Sequence, residues 1–364
     1  MDSSEEVVEQ NGSAVPQRQA SVTRRRAYAH TKLALAIISV IGVAAILVSF
    51  TLGHYYVSVP DVLAVISNAV FGTDIETAAV NNTVIMQVRL PRIVAALFIG
   101  AALASAGASY QGLFKNPMVS PDLLGASAGA GCGACLALLA NGSNLEVQLA
   151  AFTGGIIAVS LTYAISAVVS RGSSMTLCLV LTGMVVAALF QAVITMSKFA
   201  ADPNDRLPAI TFWLMGSLAT TQLTDLPKLI IPTLVGVIPM ILFRYQLNAL
   251  SFGDEEARSL GANTRFIRLL FIVCATLVTS SAVAMVGMVG WVGLVIPHLA
   301  RMIVGPNYKV LLPTSTLLGA VYLLIIDDLC RCLLAVELPL SVLTAVIGAP
   351  FFIYLRMRGR KTWA

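Results

Sequence analysis

Leu33 to Leu52 runs for about 20 residues without one charged side chain. At 1.5 Å rise per residue, such a run covers the roughly 30 Å hydrocarbon core of a bilayer as a single α-helix. Nine more apolar segments follow, at 93–114, 123–140, 147–169, 175–197, 226–243, 266–287, 289–304, 311–330 and 338–355. Lipid offers no partner to a bare peptide group, so each spanning segment must satisfy its own backbone, and a helix does that. The chain therefore reads as an all-α integral membrane protein with about ten transmembrane helices. Composition points the same way. With 57% hydrophobic and 11% charged residues, against about 25% charged in a soluble domain, too little polar surface exists to cover a water-borne core. The apolar piece 207–217 is too short to cross and suits a re-entrant or interfacial helix.

Residues 1–31 are polar, acidic at first (Asp2, Glu5, Glu6, Glu9) and basic later (Arg24, Arg25, Arg26). They read as a disordered cytoplasmic tail. No small-residue cleavage site follows the first apolar run, so that run reads as a permanent span. With the N-terminus inside and ten spans, 17 of the 23 lysines and arginines fall on the cytoplasmic side and 6 outside. This positive-inside bias places both termini in the cytoplasm of a multi-pass protein of the cell membrane. The transmembrane domain is then 32–358, with a short cytoplasmic tail at 359–364.

Catalytic equipment is not visible. There is no G-x-x-x-x-G-K-[ST] phosphate loop, no H-E-x-x-H and no G-x-S-x-G. Gly125-Ala-Ser-Ala-Gly129-Ala-Gly131 is glycine-rich but apolar, which suits close helix packing better than phosphate binding. Cys132-x-x-Cys135 has no second pair or nearby histidine, so the cysteines read as small buried side chains and no metal ligand set is expected. Asp327 and Asp328 are the main acids near a span, and Asp327 lies one turn from Arg331, the spacing of an ion pair at a helix end. Without a carboxylate at mid-membrane depth, an ion-coupled carrier is disfavoured against a device that borrows its energy. A channel would need a polar pore lining, and a passive scaffold would leave the segment described next without a role.

Two features suggest contact with partners. Arg89 and Arg92, in Arg89-Leu-Pro-Arg92, open the second span on the outer side, and Arg331 ends the ninth there. Three cations sharing one face would form a docking surface for an acidic partner. Between the sixth and seventh spans, Asn248 to Asn263 is a polar, cytoplasmic stretch in which Ser251 or Asp254 could cap a short helix ended by Gly261. It would serve as a handle for another protein to push.

The order of motifs resembles the FecCD-type permeases, the membrane subunits of ABC importers for iron complexes and cobalamin. The resemblance rests on Arg89-Leu-Pro-Arg92, Gln111-Gly-Leu-Phe-Lys-Asn116-Pro-Met118, Pro121-Asp-Leu-Leu-Gly125, Phe212-Trp-Leu-Met-Gly216, Gly253-Asp-Glu-Glu-Ala257-Arg-Ser-Leu-Gly261, Gly293-Leu-Val-Ile-Pro-His298-Leu-Ala-Arg301, Glu337-Leu-Pro339 and Gly348-Ala-Pro-Phe351. It implies a type II importer permease with an inverted repeat, spans two to five against seven to ten. It also implies a second permease copy or close paralogue, two cytoplasmic ATPase subunits and an extracytoplasmic substrate-binding protein. ATP and magnesium would sit on the ATPases, leaving this chain with no cofactor and no catalytic residue; lipid surrounds it and no nucleic acid is involved.

By position, the resemblance assigns Arg89, Arg92 and Arg331 to binding-protein docking. It assigns Gly253, Asp254, Glu255, Ala257, Arg258, Leu260 and Gly261, within a coupling segment at 248–264, to ATPase contact. Asn116, Met118, Ser174, Met175 and Thr176 correspond to cytoplasmic gates. The interval from Arg331 to Glu337 is one residue shorter than the family's, and a common proline is absent. The implied cargo is an iron chelate, siderophore or haem, with cobalamin as the alternative.

Overall fold

The protein is described here by a computed structural model covering residues 17–73, 75–170 and 175–358. Its α-helices are α1 (Gln17–Thr51), α2 (Val59–Phe71), α3 (Ala79–Thr83), α4 (Leu90–Leu113), α5 (Ala126–Leu139), α6 (Asn144–Val169), α7 (Met175–Ala200), α8 (Arg206–Met215), α9 (Leu226–Leu242), α10 (Gln246–Phe252), α11 (Asp254–Ser259), α12 (Thr264–Val286), α13 (Val292–Val304), α14 (Tyr308–Cys332) and α15 (Leu340–Arg358). Among the described residues there is no strand. Among the described residues, seven segments are long and apolar enough to cross a membrane. They match the expected spans at 33–52, 93–114, 147–169, 175–197, 226–243, 266–287 and 311–330. The other three expected spans are the shorter helices α5, α13 and the apolar part of α15.

The shortening has local causes. Pro121–Leu124 forms a single 3-10 turn, and Gly125 at φ +87° separates it from α5. Residues 287–290 are not helical between α12 and α13, and Trp291 starts α13 at φ +71°. The apolar piece at 207–217 is the ten-residue α8, as expected of a segment too short to cross.

One expectation needs correction. Helix α1 begins at Gln17, so the backbone of 17–31 is helical where a tail without structure was expected; residues 1–16 and 359–364 lie outside the described residues. Residues 17–31 contain neither glycine nor proline. Extending an existing helix avoids the cost of nucleating a new one, so polar composition alone does not stop it. Helix α2 and the segment before α4 were not anticipated at all. In that segment α3, a π turn over Val84–Arg89 and α4 run on as one rod. Pro91 explains the π turn: it has no N–H and its ring crowds the preceding turn. The widened turn lets the Leu90 N–H donate to the Ile85 carbonyl instead.

Helices α4 and α12 form the centre. Of the most apolar stretch of the α3–α4 rod 78% is buried, and of α12 72%, against 28% for α1 and for α7. The peripheral helices turn Val40, Val43, Leu181, Val185 and Leu189 outward, as a lipid-facing surface requires. Small residues bring the central helices together. A Cβ at Gly100 would lie 2.1 Å from the Gly319 carbonyl oxygen, and one at Gly107 would lie 1.9 Å from that of Gly293. The glycine-rich stretch after Gly125 is of the same kind, with Gly129 against the Gly154 carbonyl. Cys132 and Cys135 are buried near Ile194 and Ile210. Gly100→Ala and Gly107→Ala should each cost roughly 1–3 kcal/mol by overpacking, read as a lower thermal midpoint in detergent. Gly290→Ala, where nothing lies within 4 Å of the added Cβ, should leave the midpoint where it is.

Candidate functional site

One end of the bundle gathers the three expected arginines, but all are buried, at 3% exposure for Arg89 and 6% for Arg92 and Arg331. Arg92 holds Asp327 of α14 with two bonds, Nε to Oδ2 at 2.7 Å and Nη2 to Oδ1 at 2.9 Å. Its Nη1 donates to both Glu337 oxygens, at 2.8 and 3.0 Å. Arg331 donates to Asp328 and to the Ser49 carbonyl (2.6 Å) and hydroxyl (2.7 Å), and Ser49 Oγ donates to Asp328 at 2.7 Å. Arg89 donates to the carbonyl oxygens of Phe50, in the last turn of α1, and of Tyr55, just past its end. Cations this deep need partners because desolvating them alone is prohibitive.

The three arginines are therefore not bare cations on a surface. The arginines do share one face, but the chain's own carboxylates and carbonyls occupy them. The expected Asp327–Arg331 pair is corrected: Arg331 takes Asp328, three residues back, because Arg92 from α4 claims Asp327. Glu337, of the Glu337-Leu-Pro339 motif, completes the cluster. Asp327→Asn breaks a fully buried pair and should cost about 3–5 kcal/mol. Glu337→Gln acts on a pair whose acid is 38% exposed and should cost under about 1 kcal/mol. Thermal unfolding of the two variants in the same detergent checks the ranking.

The opposite end carries the polar segment. It folds as two short helices, α10 and α11, hinged at Gly253 with φ +136°. Neither proposed cap acts as one: Ser251 Oγ donates to the Asn248 carbonyl, and Asp254 pairs with Arg268 of α12 at 2.9 Å. Ala257 is buried, while Phe252 and Leu260 are 72% and 69% exposed. Glu255 and Arg258 face out beside them, although Arg258 Nε also reaches the Thr264 hydroxyl at 3.4 Å. Gly261 at φ +82° closes the turn, and Asn263 caps α12 by accepting from the Phe266 N–H at 3.0 Å.

This segment is joined to α4 through side chains that sequence reasoning did not single out. Asn248 donates to Asn307 Oδ1 at 3.0 Å and accepts the Tyr308 N–H at 2.9 Å. The Tyr308 ring fills the space beside Gly112, where a Cβ would come within 2.8 Å of it. Arg301 Nη2 lies 3.3 Å from both the Tyr308 hydroxyl and Gln111 Oε1, and Gln111 Nε2 donates to the Leu294 carbonyl at 3.2 Å. Directly after α4 comes the turn with the first expected gate pair. Asn116 Oδ1 accepts from the Met118 N–H at 2.9 Å, and both residues are exposed. Of the second gate, Met175 and Thr176 open α7 half-buried, and Ser174 lies outside the described residues.

Residues 40–358 match the FecCD transport family. The chain is 38% identical over 315 residues to the molybdate import system permease protein MolB of Haemophilus influenzae, covering 86% of this chain and 92% of that protein. It is 39% identical over 335 residues to the Fe(3+)-citrate import system permease protein YfmE of Bacillus subtilis, covering 90% and 96%. Among solved structures it resembles an inward-facing ABC transporter described as of metal-chelate type, with TM-score 0.80, 34% identity, and 90% and 99% coverage. The chain belongs to the FecCD transport family and is a multi-pass ABC transporter permease.

Proposed function

We propose that this permease carries an iron chelate from an extracytoplasmic binding protein into the cytoplasm, using ATP hydrolysed on a separate pair of ATPase subunits. Two permease copies would enclose the pathway, with both termini and the Asp254 end on the cytoplasmic side. The observation that carries the reading is the α10–α11 pair. It exposes Phe252 and Leu260 while Asn248 and Asp254 tie it to α14 and α12. An exposed apolar surface on a firmly anchored lever suits a partner that delivers force. ATP binding would close the ATPase dimer, displace α10–α11, and move α14 and the end of α4 through Tyr308, Arg301 and Gln111. The turn holding Asn116 and Met118 would then open or shut, giving alternating access.

The iron-chelate assignment draws on the Fe(3+)-citrate relative and on the metal-chelate type of the structural neighbour. The molybdate relative, of similar identity, makes an oxyanion the competing cargo. Proteoliposomes holding the complete importer should take up a ferric chelate only with internal ATP. Uptake driven by an ion gradient without ATPase subunits would refute the mechanism, and uptake of molybdate in place of the chelate would refute the cargo. In the same assay Leu260→Ser with Phe252→Ser should reduce ATP-coupled uptake at least about tenfold, the loss expected when exposed interface anchors worth about 1.4 kcal/mol or more are removed. The thermal midpoint should be unaffected. Tyr308→Phe keeps the ring against Gly112 and should lower uptake less than Asn248→Ala, which removes the two Asn248 hydrogen bonds to Asn307 and Tyr308 at the start of α14.

A further inference from the structure

At the arginine end, three guanidinium groups (Arg89, Arg92, Arg331) face three carboxylates (Asp327, Asp328, Glu337). The cluster is charge-balanced and presents no free cation to an acidic partner. Its members are not equally held. Asp327 is 1% exposed and grips Arg92 through two atoms, and Asp328 is locked by Arg331 and Ser49. Glu337 is 38% exposed and touches only Nη1 of Arg92. It belongs to the exposed, non-helical stretch 333–337 between α14 and α15. That stretch turns Leu333, Leu334 and Val336 outward, Val336 at 79% exposure. Its other hydrogen bonds are single ones: the Leu333 N–H donates to the Leu329 carbonyl at its start, His54 Nε2 lies 3.2 Å from the Ala335 carbonyl, and just past it the Leu338 N–H donates to the Cys330 carbonyl.

We propose that Glu337 is a displaceable occupant of Arg92. A carboxylate on the docking face of a partner protein takes its place at Nη1, and release of Glu337 loosens residues 333–337 from the bundle. The exchange conserves charge at Arg92, since one carboxylate leaves for water as another arrives. It leaves the buried Arg92–Asp327 pair intact, so α4 and α14 stay joined while the connector moves. The proposal rests on the importer reading, which supplies a binding protein at this end, and it adds what that protein must displace and which segment responds.

The test uses the full importer and the extracytoplasmic binding protein that purifies with it. Glu337→Gln and Glu337→Ala should bind that protein about fivefold more tightly at low ionic strength, because the internal competitor is weakened or gone. The difference should shrink at roughly 0.5 M salt, where surface charges are screened. Amide hydrogen exchange at 333–337 should quicken in the wild-type chain when the binding protein is added. In Glu337→Ala it should be fast from the outset. Unchanged or weaker binding by both variants, at an unchanged thermal midpoint, would overturn the displacement; so would exchange at 333–337 that slows or stays constant on docking. Failure of any such protein to bind the wild-type importer would overturn the importer reading itself, a result separable from the other two.

Discussion

Apolar helices gain nothing from leaving one apolar solvent for another, so association inside a bilayer depends on how closely backbones can approach. The contact of Gly100 with Gly319 and that of Gly107 with Gly293 meet this requirement along α4. They set α4 against α14 and α13 at a separation that no larger residue permits. Arg92 reaches Asp327 only because these two helices run so close, and the same pairing sets the Tyr308 ring beside Gly112 at the other end. Both polar ends of the molecule are consequences of one small-residue seam.

The seam also explains how so many ionisable groups are tolerated. Each buried cation has a carboxylate or carbonyl within hydrogen-bonding distance, so the cluster carries no uncompensated charge into a low-dielectric region. Such a cluster adds little net stability compared with apolar packing, but it accepts only one alignment of α1, α4 and α14. Its value is in register.

The spans were legible because each is a local property: about twenty apolar residues announce a helix without knowledge of neighbours. The glycine-rich run after Gly125 was legible for the same reason. Two spans, those at α5 and α13, fell short where a single position broke the helix, at Gly125 and Trp291, and local hydropathy averages over such breaks. The pairing of charges was not legible. Asp327 and Arg331 have the spacing of a helical ion pair, yet a residue 235 positions away takes the aspartate. Arg89, Arg92 and Arg331 were rightly grouped on one face, but whether a grouped charge is free depends on contacts that sequence spacing does not report. The contacts joining Tyr308, Asn248 and Arg301 were not legible, because a tyrosine, an asparagine and an arginine at helix ends are unremarkable until their mutual distances are known.

Helix α14 carries Tyr308 in its first turn and Arg331 in its last. Its 25 residues make a rod about 37 Å long, so its two ends cannot shift independently. A ligand that favours one setting of this rod from either end changes the affinity of whatever binds at the other end by the same factor, because coupling between equilibrium binding sites is reciprocal. Any partner that biased α14 through Asn248 and any that biased it through its arginine end would thereby be thermodynamically linked through one continuous helix.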